Sequence, residues 1–195
     1  MQFFIYLQMH KKKLREHYRQ KRDALTPEQQ QQWSIDIANQ CLKLDIWNYS
    51  TFHLFLTIDD LKEVQTQYLL SVLQGKDKNV VVSKSNFKDA SMQHMLLTDQ
   101  TALVLNPYGI PEPVTGIVVP ETQLDVVFIP LFCADSNGNR VGYGKGFYDR
   151  FLEQCKPSVL RIGLSYFEPI QSPIETNDND VPLHALVTPR RIIHF

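Results

Sequence analysis

The run LDVVFIP, Leu124 to Pro130, constrains the fold more than any other stretch. Val126 to Ile129 are apolar without alternation, so a strand here must be covered on both faces, as happens inside a sheet with helices on either side. After it, from Val141 to Arg150, comes VGYGKGFYDR, with Gly142, Gly144 and Gly146 at alternate positions. A glycine inside a regular element costs about 1 kcal/mol relative to alanine. Some use for a bare backbone must offset that cost.

The flanking periodicities predict what covers the strand. KKKLREHYRQKRDAL puts Leu14, Tyr18 and Leu25 on one helical stripe with Arg15, Arg19, Lys21 and Arg22 around it, a basic amphipathic helix. Thr26 and Pro27 end it and start another, with Thr26 as N-cap and Gln29 closing a capping box. Trp33, Ile37, Ala38, Cys41 and Leu42 supply the buried face of that second helix. TFHLFL reads as a strand, and Asp59 to Gln74 as a helix through Leu61, Val64, Tyr68 and Val72, ended by Gly75. NVVVS, MQHMLL, TALVL, VLRIGLS and HALVT read as further strands, and from Gly146 a helix runs through Phe147, Phe151, Leu152 and Cys155. Alternating strands and helices predict a single α/β domain with a largely parallel sheet flanked by helices. Residues 9–195 form that domain; residues 1–8 read as an unstructured or edge-pairing extension, with Met9 an alternative start.

In open α/β sheets ligands settle beyond the carboxyl ends of the strands, where a loop leads into a helix. Val141 to Gly146 occupies such a place. Free amides at a helix start attract anions, and Lys145 and Arg140 add positive charge. The segment is neither a Walker loop, which needs Ser or Thr where Gly146 stands, nor a dinucleotide fingerprint, whose third glycine comes one residue later. On pattern alone a tight turn packed on the sheet remains as good a reading.

The segment LDVVFIPLFCADSNGNRVGYGKGFYDRFL closely resembles the signature of the 5-formyltetrahydrofolate cyclo-ligases, also called methenyltetrahydrofolate synthetases. The likeness extends through Lys11 to Arg15, Glu63 to Thr66, Gly109 to Pro113 and Asp180 to Leu183. It departs at Ser83, where proline is usual, at SYFEPI, and at a longer segment before Glu63. The resemblance implies ATP-dependent conversion of 5-formyltetrahydrofolate into 5,10-methenyltetrahydrofolate with Mg²⁺, releasing ADP and phosphate.

By the same resemblance, Lys11, Arg15, Arg140, Val141, Gly142, Tyr143, Gly144, Lys145, Gly146, Phe147 and Tyr148 bind the nucleotide. Lys145, Arg140 and Tyr148 are the catalytic candidates. Ile58 and Glu63 border the folate, together with Tyr143, Gly144, Lys145, Gly146 and Phe147. Asp149 and Asp180 occupy the metal positions; carboxylate oxygens suit Mg²⁺. From the residues alone, Lys11 and Arg15 read as one solvated face of a basic helix, and Glu63 can be a helix cap and the two aspartates ordinary exposed carboxylates. Rossmann-like α/β domains of this shape also host sugar-phosphate isomerases and CoA transferases, and a non-catalytic folate binder is a third reading.

A formal net charge of −1 gives no general pull toward nucleic acid or an anionic membrane. Cys41, Cys133 and Cys155 are odd in number and widely spaced, which fits neither a disulfide framework nor a zinc knuckle. The expectation is a cytoplasmic monomer. His53, His94, His184 and His194 fall in strand-like segments and read as core-edge or surface residues rather than catalysts; His10 and His17 belong to the basic helix.

Overall fold

The first helix, α1 (Lys11–Asp23), buries Leu14 and Tyr18 as its stripe requires, in a computed structural model that describes residues 10–195. The expected extension over residues 1–8 and the alternative start at Met9 lie outside the described residues. In α2 (Pro27–Cys41) Thr26 Oγ1 accepts from the Gln29 N–H at 3.2 Å, while Gln29 Oε1 accepts from the Thr26 N–H at 3.0 Å, closing the capping box. Ile37, Ala38 and Cys41 are buried; Leu42, just past the last turn, is exposed instead.

Strand β1 (Thr51–His53) is shorter than TFHLFL promised. The helix expected from Asp59 to Gln74 is broken: a 3-10 turn spans Asp59–Leu61, Lys62 takes a left-handed φ of 44°, and α3 starts only at Gln67, running to Gly75. Side-chain bonds to the backbone compete with the helical ladder there. Lys62 Nζ donates to the Asp23 and Leu25 carbonyls at 2.7 and 3.1 Å, and Thr66 Oγ1 donates to the Phe55 carbonyl at 2.7 Å.

Next come β2 (Asn79–Asn86) and β3 (Ser91–Leu96), an antiparallel pair, then β4 (Leu103–Leu105) and β5 (Pro111–Pro113), which among the described residues pair only with each other. The expected TALVL strand thus lies outside the main sheet, and Leu103, Val104 and Leu105 are exposed. β6 (Val126–Pro130) is buried at every position. A short ribbon, β7 (Cys133–Ala134) with β8 (Arg140–Val141), separates it from the glycine segment, which therefore does not follow it directly. The chain closes with α4 (Phe147–Gln154), β9 (Leu160–Leu164), β10 (Ala185–Val187) and β11 (Ile192–His194).

Among the described residues the main sheet has seven strands in the order β11-β10-β9-β6-β1-β2-β3. Its five central strands are parallel and only the two edges are antiparallel. Side chains of β6 alternate between two cores: Val126 and Phe128 pack with α2 and α3, Val127 and Ile129 with Phe151 and Leu152 of α4. Each fully buried side chain of this kind stabilises the fold by roughly 1.5–3 kcal/mol. This is the single α/β domain with a mostly parallel, helix-flanked sheet that the sequence predicts.

Candidate active site

The glycine segment is held from below by the β7–β8 turn. Asp135 is fully buried, and its Oδ1 accepts from the Asn137 and Asn139 N–H groups, each at 2.9 Å. Oδ2 accepts from Asn139 Nδ2 and the Ile174 N–H, also at 2.9 Å. Gly138 adopts φ +81°, and a Cβ there would meet the Leu183 carbonyl at 2.8 Å. This turn fixes Arg140 and Val141 at the base of the segment.

Within the segment the three glycines differ. Gly144 and Gly146 have φ of +85° and +73°, the left-handed region that favours glycine. A Cβ on Gly144 would also stand 2.9 Å from the Arg15 guanidinium carbon. Gly142 has neither constraint: nothing lies within 4 Å of its hypothetical Cβ. Among the described residues, no backbone N–H from Gly142 to Gly146 donates to a protein acceptor. Arg15 Nε bonds the Gly142 carbonyl at 2.8 Å and Arg150 Nη1 the Lys145 carbonyl at 3.0 Å, so cations hold the carbonyls and leave the amides unpaired.

These amides border a cleft of about 730 Å³ at the carboxyl ends of the parallel strands, where Pro130 ends β6. Lys11, Arg15 and Arg140 line it together with Gly142 to Asp149. Ile58, Glu63 and Asp180 line it too. Val141 is the exception among the sequence-predicted site residues: its side chain is buried with Leu14, Tyr18 and Phe132, and it anchors the segment to α1. Lys145 is exposed, and Tyr148 makes an edge-on contact with the His53 ring at 5.8 Å. Burial raises the Tyr148 phenol well above its ordinary pKa, the Glu63 charge adding to it, so the hydroxyl stays protonated.

The two aspartates meet cations. Asp149 Oδ1 accepts from Arg140 Nη2 at 2.6 Å and from the Val181 N–H at 3.3 Å; Arg140 Nη1 donates to the Val181 carbonyl. Asp180 Oδ2 pairs with Lys11 and accepts from the Asn177 N–H at 2.8 Å. Burial lowers the Arg140 pKa, and the Asp149 and Asp180 charges oppose that. Both carboxylates also line a small pocket of about 10 Å³, the size of one water. Each keeps one oxygen without a protein donor among the described residues. No cluster of three metal-ligating side chains occurs among the described residues. Two carboxylates beside an anion cradle fit Mg²⁺, which takes one or two such ligands and fills the rest with water and phosphate.

Glu63 is nearly fully buried. Its Oε2 accepts from the Ile58 N–H at 2.8 Å, capping the 3-10 turn, and its Oε1 accepts from the Tyr143 hydroxyl. The capping reading thus covers only one of its two oxygens. Sequence reasoning missed other cleft residues. Phe87 and Tyr108 have ring centroids 4.2 Å apart at the cleft wall, and no local spacing joins positions from two separate hairpins. His53 and His94 are buried, not at the core edge, with Ser83 Oγ 2.8 Å from a ring nitrogen of each.

Fold and site together define an α/β domain with a cleft of unpaired amides and cations at the carboxyl edge of a parallel sheet. Residues 8–189 match the model of the 5-formyltetrahydrofolate cyclo-ligase family, and the chain belongs to that family. It is 32% identical over 179 residues to the 5-formyltetrahydrofolate cyclo-ligase of Escherichia coli (strain K12), covering 89% of this chain and 97% of that one. The Haemophilus influenzae enzyme of the same name is 30% identical over 182 residues, with 91% and 96% covered. The solved structure of Aquifex aeolicus 5,10-methenyltetrahydrofolate synthetase superposes with a TM-score of 0.80 at 25% identity, covering 94% of this chain and 92% of that one. The Mycoplasma pneumoniae synthetase shares the fold, with a TM-score of 0.70 at 22% identity over 93% and 99% of the two chains.

Proposed function

We propose that the protein converts 5-formyltetrahydrofolate into 5,10-methenyltetrahydrofolate at the expense of ATP. The observation that carries this reading is the row of unpaired amides from Gly142 to Gly146, set among Arg15, Arg140 and Lys145 in one cleft with Glu63. A formamide oxygen is a poor leaving group. Attack of that oxygen on the γ-phosphorus expels ADP and gives an imino-phosphate; the second folate nitrogen then attacks its carbon, loses its proton, and phosphate departs with the former formyl oxygen.

Phosphoryl transfer is mainly positioning and charge neutralisation. The amides of Gly142, Gly144 and Gly146 receive phosphate oxygens, and Lys145, whose ammonium has no protein partner among the described residues, follows the transferred group. Lys11, Arg15 and Arg140 neutralise the nucleotide charge. Tyr148 offers a neutral hydroxyl, while Glu63, Ile58, Tyr143 and Phe147 border the folate. Asp149 and Asp180 would hold Mg²⁺, which supplies charge neutralisation at the phosphates. Val141 serves this site through the backbone it fixes.

We further propose that residues 9–195 act as one folding unit and that the protein works as a cytoplasmic monomer without nucleic acid. The near-neutral charge supports the expectation of no nucleic-acid partner, and among the described residues no helix is long and apolar enough to cross a membrane. Mixing the protein with 5-formyltetrahydrofolate, Mg²⁺ and ATP and following the near-ultraviolet absorbance of the methenyl product tests the activity. Product that requires ATP is expected; folate binding without turnover, or indifference to folate, contradicts the reading.

A further inference from the structure

Arg22 belongs by sequence to the basic face of α1, yet its side chain is turned inward and the residue is only 2% exposed. Nη2 donates to the Leu131 carbonyl just beyond β6, and Nη1 donates to the Tyr143 hydroxyl at 3.3 Å. The guanidinium carbon lies 4.6 Å from the centre of the Phe132 ring, and Nε has no hydrogen-bond partner among the described residues. A buried guanidinium is costly unless an anion compensates it.

No carboxylate touches Arg22 directly among the described residues. Its counter-charge is one hydrogen bond further on, because the Tyr143 hydroxyl that accepts from Arg22 donates to Glu63 Oε1. One phenol therefore joins a buried cation on α1 to a buried carboxylate in the cleft wall. Tyr143 also stands between Gly142 and Gly144, so the same hydroxyl ties the phosphate-binding segment to Glu63.

We propose that Arg22 is a positioning residue: acting through the Tyr143 hydroxyl, it holds the Glu63 carboxylate in place to accept hydrogen bonds from the N–H groups of a reduced pterin. This rests on the reading of Glu63 as the folate contact.

The surroundings of Glu63 explain why it needs such help. Burial raises its pKa and Asp59 of the 3-10 turn adds to that; the Arg22 charge is the largest opposing influence, followed by the bonds from Tyr143 and Ile58. Tyr148 of α4 also feels the Glu63 charge, and both it and Tyr143 are pushed well above their ordinary range, so neither phenol ionises near neutral pH. Loss of the Arg22 charge must raise the Glu63 pKa, so any process needing the carboxylate fails at a higher pH than before. Lysine would keep the charge but not the fork that reaches both Leu131 and Tyr143.

The test uses Arg22→Gln, Arg22→Lys, Tyr143→Phe and Glu63→Gln in the full chain, with circular dichroism as the check on folding. It reads kcat/KM for 5-formyltetrahydrofolate against pH at saturating ATP, since that ratio reports groups on the ATP-loaded enzyme before folate binds. Arg22→Gln is expected to raise the folate KM roughly tenfold and to move the acid limb up by about one pH unit. Tyr143→Phe moves the limb in the same direction, and Arg22→Lys restores the limb with an intermediate KM. An arginine that only supported the fold would reduce the folded fraction without moving the limb. Unmoved acid limbs in folded Arg22→Gln and Tyr143→Phe, with a raised folate KM in Glu63→Gln, overturn the proposal alone. An unchanged folate KM in Glu63→Gln overturns the reading of Glu63 and the proposal with it. Should neither Arg22 variant fold, the limb of Tyr143→Phe decides.

Discussion

Arg140 Nη2 lies 2.6 Å from Asp149 Oδ1, so a residue at the base of the glycine segment is locked to the first turn of the helix that follows it. The Arg140 side chain is 7% exposed and that of Asp149 27%. Asp149→Asn leaves the guanidinium without its charge partner and is expected to cost roughly 1–3 kcal/mol, read as a lower urea midpoint at unchanged slope. Turnover should fall by more than the lost folded fraction explains, because under the proposed function the same carboxylate would also hold Mg²⁺ at the nucleotide.

Gly142 and Gly144 separate backbone geometry from ligand approach. Gly144→Ala meets both a positive φ and the Arg15 guanidinium, so it should destabilise the protein by about 1–2 kcal/mol. Gly142→Ala meets nothing in the protein and should keep stability within about 0.5 kcal/mol of the parent. Its ATP KM should nevertheless rise, since a methyl group there obstructs only an incoming ligand. Steady-state kinetics beside thermal unfolding checks both.

Lys145 is exposed, and its ammonium makes no hydrogen bond or ion pair among the described residues. Lys145→Ala should leave the melting temperature unchanged and lower kcat by on the order of a hundredfold. Equal turnover in parent and variant would remove this lysine from the mechanism. His94 lies outside the cleft, and His94→Ala should keep the kcat of each folded molecule.

The buried histidines make stability depend on pH. Burial lowers the His94 pKa to about 4, opposed by Glu121, and holds His53 well below its usual value, the His94 charge adding to that. Between about 6.5 and 4 the unfolded chain binds protons that the folded one refuses, so the stability these groups confer is complete above pH 6.5 and drains away on acidification. For His94 the loss amounts to about 3 kcal/mol over that window. Denaturant titrations from pH 7.5 to 4.5 should show a steeper decline in the parent than in His94→Ala.

Local patterns were legible and distant pairings were not. The Thr26–Gln29 capping box, the buried run at Val126 to Ile129 and the helix from Phe147 all depend on neighbours a few residues apart, and they form as read. The α3 boundary failed because Lys62 and Thr66 bond to Asp23, Leu25 and Phe55, contacts invisible to periodicity. For the site, the glycine segment and its cations were conspicuous through composition and family likeness. Arg22 was not, since its inward turn is set by Leu131, Phe132 and Tyr143, more than a hundred residues away. Phe87 and Tyr108 were missed because they lie on two different hairpins that only the fold brings together.

Under the proposed function the bare amides between β8 and α4 receive the phosphates of the nucleotide. Amide chemical shifts of the ¹⁵N-labelled protein, recorded during titration with a non-hydrolysable ATP analogue and Mg²⁺, test it most directly. The largest shifts are expected at Gly142, Gly144 and Gly146, saturating with the analogue. Saturable shifts centred elsewhere, with these three glycines unmoved, would contradict it.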